Sequence, residues 1–228
     1  MKKVQMVSAL FIVVFLTAGV VQPALASTYW ERMAQGFPNS ITVYDYVYQL
    51  QSAELEVNAR IPQLHGMPDL NWQADFNASL REGLIQFVAH LQDMVWEDQM
   101  YPYEGLIDFE VKLNRGGLLS IAIVSYTFTG GAHGMTAYVY RNLDLSTGQE
   151  IAFYDLFNTD AEIERAAQVI NEKIVQEPDW FFIDHFTPSL FSENQGYYLQ
   201  ENQAVICFGL YELAPYAAGI QEFAVSAP

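Results

Sequence analysis

The chain is poor in cysteine and in positive charge. Of its 228 residues only Cys207 is cysteine, and 10 Lys and Arg stand against 27 Asp and Glu, for a formal net charge of −17. One cysteine excludes an internal disulfide, so stability must come from an apolar core, for which 15 Phe, 14 Tyr and 4 Trp are available. We interpret Cys207, in an apolar strand-like run, as a buried inert thiol, with pairing between chains as the alternative.

The excess of acidic residues bears on possible partners. A negative surface repels nucleic acid and anionic lipid, so we expect no nucleic-acid partner. Two interpretations of the charge stay open: it attracts basic partners or divalent cations, or it keeps an exported protein soluble.

Catalytic and metal-binding motifs are also absent from the sequence. No H-E-x-x-H, paired C-x-x-C or G-x-S-x-G pattern occurs, and His65, His90 and His185 are far apart in the chain. We therefore predict no metal site, no cofactor and no catalytic residue of these types. Paired carboxylates for glycoside cleavage stay open, because their separation cannot be deduced from sequence.

An export signal is present at the N-terminus. Lys2 and Lys3 precede an apolar run from Val4 to Val21, and Ala24-Leu25-Ala26 fits the small-residue pattern of a signal peptidase site. We predict that residues 1–26 are a signal peptide cleaved after Ala26, which places the protein outside the cell or in the periplasm. An uncleaved membrane anchor is the alternative. Cleavage removes two lysines and no acid, so the formal charge changes from −17 to −19.

Hydrophobic periodicity predicts an α+β fold with antiparallel sheets. Residues 41–61 alternate as two strands joined near Gln51-Ser52, and Pro62 with the Gly66-Met67-Pro68 cluster is expected to end the second strand. A three-and-four spacing predicts a long helix over about 71–97 capped by Asn71. A β-meander follows between Leu106 and Phe153, then a helix over about 160–175, and both helices are expected to pack on the strands. A hairpin at Tyr197–Phe208 and a short last strand complete the chain.

The same pattern predicts the domain organisation. Residues 27–40 are interpreted as a linker, 41–100 as a strand-strand-helix part, and 101–228 as a meander-helix-hairpin part. We expect the last two parts to form one compact unit.

Several sequence blocks resemble a known family. Gly130-Gly131-Ala132-His133-Gly134 is followed by Asn142–Gly148 and Asp155–Phe157, and the chain ends with Tyr197–Leu199 and Tyr211–Gly219. These blocks are similar to domain of unknown function 3298 (DUF3298). Upstream, Ile61–Gly66 before a long helix resembles the partner domain of unknown function 4163, so the two resemblances cover about residues 41–226.

The resemblance implies an external module without established catalytic residues. Such modules occur in the extracellular part of the anti-sigma factor RsiV, which binds lysozyme, and beside the separate catalytic domain of a peptidoglycan deacetylase. Because few residues precede the apolar segment and no deacetylase domain follows Pro228, we expect the external module alone. The expected function is non-enzymatic recognition of a basic protein such as lysozyme or of a cell-wall glycan.

Two other functions stay open: a glycan hydrolase that uses paired carboxylates, and a structural envelope protein without a ligand. The candidate ligand-binding residues lie in the two most distinctive blocks and are Gly130, Gly131, His133, Gly134, Glu212 and Tyr216. Glycines permit close approach to a ligand, and histidine binds ligands or relays protons. The alternative is structural: a strand turn at Gly130–Gly134 and a fold-defining corner at Tyr211–Gly219, with Glu212 accepting hydrogen bonds from that turn.

Overall fold

A computed structural model describes residues 23–96 and 99–227. Most of the predicted export signal, residues 1–22, lies outside this part, so cleavage after Ala26 stays a prediction. Over the described residues the fold is α+β, as the sequence predicts, with four α-helices and two sheets. In that part of the chain no helix has the length and hydropathy needed to cross a membrane.

The larger sheet has six strands in sequential order. They are β1 (Thr42–Gln51), β2 (Leu55–His65), β3 (Tyr103–Arg115), β4 (Leu118–Phe128), β5 (Met135–Asp144) and β6 (Gln149–Glu150). All neighbours are antiparallel except β2 and β3, which pair in parallel over Leu55–Ala59. This pairing crosses residue 100, so the parts 41–100 and 101–228 share one sheet, as expected of one compact unit.

Pro62 lies inside β2 and does not end it, whereas the Gly66-Met67-Pro68 cluster follows the strand directly, as the sequence predicts. The strand continues to His65, and Pro62 lies opposite Asp45 of β1. Pairing with β3 stops at Ala59. At Pro62, β2 pairs with β1 and no longer with β3. Proline is tolerated at this position because its missing N–H removes no hydrogen bond to a strand on the β3 side.

Helix α2 (Leu70–Met94) makes the crossover from β2 to β3 and covers one sheet face. Its buried residues Leu84, Val88 and Leu91 pack in a cluster with apolar residues of β2 and β3. The cap is Asp69 and not Asn71: its carboxylate accepts from the backbone N–H groups of Asn71 and Trp72, each at 3.0 Å. The helix therefore begins before the residue that sequence favoured as cap.

The smaller sheet follows the remaining helices. Its strands β7 (Tyr197–Gln200), β8 (Gln203–Phe208) and β9 (Gln221–Ser226) are antiparallel in that order, which confirms the predicted hairpin and last strand. Before them come α3 (Phe153–Leu156) and α4 (Asp160–Gln176). Thr159 and Glu162 form a reciprocal capping box at the start of α4. Apolar residues of α4, β8 and β9 form the largest buried cluster.

The predicted linker at 27–40 is largely helical, and that prediction is wrong. Helix α1 (Pro23–Gln35) buries Trp30 and Met33 in the largest cluster, and the Trp30 ring meets Phe157 edge-on at 5.8 Å. Residues 36–40, rich in Gly, Pro and Asn, dominated the sequence-based interpretation. The spacing of Trp30 and Met33 places both on one helical face, which burial stabilises.

Arg32 anchors α1 to the larger sheet. Its guanidinium donates to both carboxylate oxygens of Asp144 at 2.8 Å and to the carbonyls of Gly116 and Gly117. Burial alone would raise the pKa of Asp144, but hydrogen bonds from Arg32 and Ser146 outweigh burial and hold that pKa at about 2. The bidentate pair is a geometry that lysine cannot reproduce.

Buried polar contacts fasten the second sheet to the first. The Ser120 hydroxyl donates to the Asn142 side chain at 2.7 Å and accepts from the Leu199 N–H at 2.9 Å. The Asn142 amide donates to the Tyr197 carbonyl at 2.8 Å. We call Ser120, Asn142, Tyr197 and Leu199 the junction network. It holds β7 across β4 and β5.

Cys207 is buried in β8, as the sequence predicts. Burial raises the pKa of its thiol to about 12. The thiol is therefore protonated at neutral pH, and protonated thiols are poor nucleophiles.

The Asp144 pair predicts an acid-dependent stability. Its folded-state pKa lies below the ordinary value of 3.8, so ionised Asp144 stabilises the fold above pH 4, and this stabilisation is lost as pH falls from about 4 to about 2. We expect Asp144→Asn to lower the free energy of unfolding by about 2 to 3 kcal/mol at pH 7 and by much less near pH 2. Urea denaturation at several pH values measures the change in the free energy of unfolding, and substitution of the exposed Asp184 (Asp184→Asn) is the control. An equal loss at both pH values would contradict it.

The packing of α1 predicts that substitutions at two methionines differ in their effect on stability. Met33 is 0% exposed and Met100 is 90% exposed. We expect Met33→Ala to cost about 2 to 5 kcal/mol because it leaves a cavity, and Met100→Ala less than about 0.5 kcal/mol. Thermal and urea denaturation compare the two variants. Similar stabilities would mean that α1 does not dock in solution.

The junction network predicts that loss of the Asn142 side-chain amide lowers the stability of the fold. Asn142→Ala leaves the buried Tyr197 carbonyl without this donor, and we expect a loss of about 1 to 3 kcal/mol. The matched control is Asn58→Ala, whose exposed side chain hydrogen-bonds only to Glu56 and Gln49. If both variants unfold at the same urea concentration, the network does not hold the two sheets together.

Candidate functional site: a groove beside β5

The glycine-rich turn and the C-terminal segment meet in space. The His133 ring stacks on Tyr216 with centroids 3.8 Å apart and an interplanar angle of 20°. The Tyr216 hydroxyl donates to the Gly134 carbonyl at 3.0 Å. Tyr211 lies next in line, its ring centroid 5.8 Å from that of Tyr216. The rings of His133, Tyr216 and Tyr211 therefore follow one another in a stack. His133 and Tyr211 are exposed.

Backbone conformation and packing explain why glycine occupies three positions of the turn. Gly130 and Gly131 have φ values of +97° and +96°, which side chains rarely adopt. A Cβ atom added to Gly134 would lie 2.3 Å from the Tyr126 ring. These constraints explain the three glycines structurally. The His133 ring is exposed, but its Nδ1 lies 3.0 Å from the Gly134 carbonyl, so this ring also takes part in the turn.

Glu212 does not contact the glycine-rich turn, so the expected hydrogen bonds to that turn are wrong. Its carboxylate accepts from the Gly209 N–H at 2.8 Å and closes a local turn instead. The neighbouring Tyr211 has φ +67° and is 50% exposed. A non-glycine residue in this conformation costs about 1 to 3 kcal/mol, and such strain is concentrated at functional sites.

A groove of about 960 Å³ opens beside β5, between the two sheets. One wall is β5 from Met135 to Tyr140, and the other is formed by Ser192–Gly196 and by the Cys207–Gly209 end of β8. Glu212 and Leu213 line it as well, so the C-terminal block reaches this groove. Its volume lies at the upper end of the range for ligand sites.

Tyr138 and Tyr140 line the groove and form a row with the buried Tyr198 behind it. The rings of Tyr138 and Tyr140 stack with centroids 5.8 Å apart, and Tyr140 is followed by Tyr198 at the same distance. Tyr138 is 40% exposed, whereas Tyr198 is buried. Burial raises the pKa of Tyr140 well above its ordinary value, so this hydroxyl stays neutral. Tyrosine combines apolar area with a polar tip and is enriched at binding surfaces.

The charge of the groove has one sign. Among the described residues that line it, Glu150, Glu193 and Glu212 are acidic, and none is Lys, Arg, His or Asp. Glu150 forms an ion pair with Arg141 outside the lining, and Glu212 is held by Gly209. Glu193 is exposed. The groove therefore favours cationic over anionic ligands.

A second, smaller cavity of about 460 Å³ lies beside α4, next to Arg165 and His185. It contains none of the predicted site residues. Over residues 23–96 and 99–227 no group of three His, Cys, Asp or Glu side chains is arranged to hold a metal ion.

Sequence reasoning located the two blocks but missed the groove itself. Tyr138, Tyr140 and Ser192–Gly196 were not among the candidates. The uncharged run Met135–Tyr140 does not stand out in the sequence, because residues 116–140 contain no Asp, Glu, Lys or Arg. The contribution of Ser192–Gly196 depends on how the sheets pack, which the local pattern does not contain.

Two family models match separate segments of the chain. Residues 154–227 match the family model described as protein of unknown function DUF3298, and residues 49–136 match the model described as deacetylase PdaC. The upstream match is thus PdaC, and the expectation of domain 4163 is corrected. No curated protein matches the chain.

Two solved structures share the fold. A DUF3298 family member from Bacteroides fragilis has a TM-score of 0.57 at 16% identity, covering 86% of this chain and 92% of its own. A DUF3298 family protein from Pseudomonas aeruginosa has the same TM-score and identity, covering 83% and 91%. The C-terminal segment of the chain thus matches the DUF3298 family model, an upstream segment matches the PdaC model, and the fold is shared with two solved DUF3298 family proteins.

Proposed function

We propose that the protein is an exported, non-enzymatic recognition module of the cell envelope that binds a basic protein in the groove beside β5. The observation that carries this proposal is the lining: exposed tyrosine and apolar side chains with three glutamates and no basic group. Aromatic side chains supply contact area, and carboxylates select and steer a cationic partner. The predicted signal segment and the formal charge of −17 support export and attraction of such a partner.

Lysozyme is the first partner to test. The Gly130–Gly134 and Tyr211–Gly219 blocks resemble the extracellular part of RsiV, which binds lysozyme, and lysozyme is basic. The stack of His133, Tyr216 and Tyr211 lies in these same blocks, and Glu212 and Leu213 extend the C-terminal block into the groove. A peptidoglycan fragment is the alternative ligand, since sugars also pack on tyrosine rings.

A glycan hydrolase is the second candidate, because the groove contains several carboxylates. Such an enzyme needs two of them to face each other with free oxygens. Glu150 is held by Arg141 and Glu212 by Gly209, which favours recognition over hydrolysis. Release of reducing ends from purified peptidoglycan by the wild type, abolished by Glu193→Gln, would favour the enzyme instead. The name deacetylase PdaC of the upstream match suggests an assay for acetate release from the same substrate.

The binding prediction compares two tyrosines of the same sheet with similar exposure, 40% for Tyr138 in the groove and 46% for Tyr44 on β1. We expect immobilised lysozyme to retain the wild type at low salt, and the affinity to fall as salt screens the charges. Tyr138→Ser should weaken binding by about tenfold or more, and Tyr44→Ser should leave it unchanged. Surface plasmon resonance at several salt concentrations measures both.

Three outcomes separate the ligands. Equal losses in both variants, or binding to cytochrome c as tight as to lysozyme, would reduce the interaction to general charge attraction and contradict a specific site. Retention on peptidoglycan fragments without retention on lysozyme would assign the groove to a glycan. Absence of all binding would leave the structural accessory function.

A further inference from the structure

Strand β5 is an open sheet edge along most of its length. Its inner side pairs with β4 in one unbroken register from Met135 to Asp144. On its outer side β6 pairs only with Leu143 and Asp144. Over the described residues, the stretch from Met135 to Tyr140 therefore has a sheet neighbour on one side only.

The direction of the free backbone groups follows from a neighbouring contact. The Ile151 N–H donates to the Asn142 carbonyl at 2.8 Å from the β6 side, so Asn142 points its backbone groups outward. In an antiparallel strand the backbone groups of alternate residues point to the same side. Thr136, Tyr138 and Tyr140 accordingly direct their N–H and C=O groups away from β4 and into the groove that all three line.

This edge lacks the features that normally prevent strand addition. Exposed edges are usually interrupted by charged residues, proline or bulges, but Met135–Tyr140 contains no charge and no proline and pairs with β4 without a bulge. The opposite edge, β1, differs: it carries Asp45, which forms an ion pair with Arg60. Met135 and Val139 are also exposed, at 45% and 58%.

We propose that β5 accepts an extended, basic segment of a partner protein as an added strand within the groove. The backbone of the segment pairs with the outward groups of Thr136, Tyr138 and Tyr140. Its alternate side chains lie against Tyr138 and Tyr140 or reach the exposed carboxylates of Glu193 and Glu212. This inference rests on the proposed function, since it specifies how the groove holds a basic protein.

The charge of the groove lining indicates which segment binds there. The lining contains three glutamates and no basic residue, so a lysine- or arginine-containing segment is complementary to it. A second copy of this chain would bring the same glutamates of two molecules together and would add another net charge of −17. Self-pairing at this edge is therefore disfavoured by repulsion.

The test uses a labelled peptide of about six residues, the usual length of a strand, in which lysine alternates with threonine and valine. We expect it to bind the wild type in a fluorescence-anisotropy titration, and to slow hydrogen exchange of the Thr136, Tyr138 and Tyr140 amides by about tenfold or more. N-methylation of alternate peptide nitrogens removes backbone donors, so the methylated peptide should bind at least about tenfold more weakly. A peptide with glutamate in place of lysine should not bind.

Two substitutions at one position separate backbone from side chain. Tyr138→Pro removes the outward N–H and the ring, whereas Tyr138→Ser removes only the ring. We expect the proline variant to bind the peptide at least about tenfold more weakly than the serine variant. Circular dichroism and urea denaturation establish that both are folded, and the methylated peptide tests the wild type if the proline variant does not fold.

The outcomes distinguish this inference from the proposed function. Lysozyme binding with equal affinities for the methylated and unmethylated peptides would overturn strand addition and leave recognition intact. A methylation effect without lysozyme binding would support the edge and reject lysozyme as partner. A wild-type dimer that Tyr138→Pro converts to a monomer would overturn the basic segment in favour of a second copy.

Discussion

The groove depends on the junction network, because these buried hydrogen bonds fix the second sheet against the first. Ser120 and Asn142 come from adjacent strands of the larger sheet, and each bonds to the backbone of β7. All of these polar atoms are removed from water, so an unmade bond would leave a costly unpaired group. The arrangement therefore specifies one relative position of the sheets, where apolar packing alone would allow several.

Once β7 is fixed, the position of the groove follows. The junction network anchors the second sheet at Asn142, and Tyr140 still packs on Tyr198 of β7. Beyond this contact, the described part of β5 from Met135 to Val139 pairs with no strand of the second sheet. The Ser192–Gly196 segment, which leads into β7, then becomes the facing wall. Gly196 lies close to Tyr140, where an added Cβ would be 3.3 Å from the ring. The same contacts that close the core at one end of β5 thus leave its other end open.

The two family matches divide the chain but not the site. The PdaC-like segment ends at residue 136, at the start of β5, and the DUF3298 segment begins at residue 154, before the whole second sheet. Most of the β5 wall of the groove lies between the two matches, with Met135 and Thr136 in the PdaC-like segment, whereas the Ser192–Gly196 wall lies in the DUF3298 segment. The groove therefore forms where the two matched segments meet in the fold.

Periodicity and turns were strong local signals in this protein. The spacing of apolar residues located α2, α4 and the meander, because amphipathic burial imposes those periods whatever the final packing. The distinctive glycine and C-terminal blocks located His133 and Tyr216. Local composition was misleading where tertiary contacts prevailed: at α1, which core burial and the Arg32–Asp144 pair stabilise, and at Pro62, which a one-sided strand tolerates.

By itself, the sequence determined the fold class, the acidity, the buried single thiol and the two blocks that carry the family resemblance. All of these depend on residue type and on spacing within one element. Only the tertiary structure decided that Glu212 serves its own turn, that Tyr138 and Tyr140 line a groove, and that one edge of the larger sheet stays open. Those properties depend on side chains and strands that are distant in sequence, and the packing of the two sheets alone brings them together.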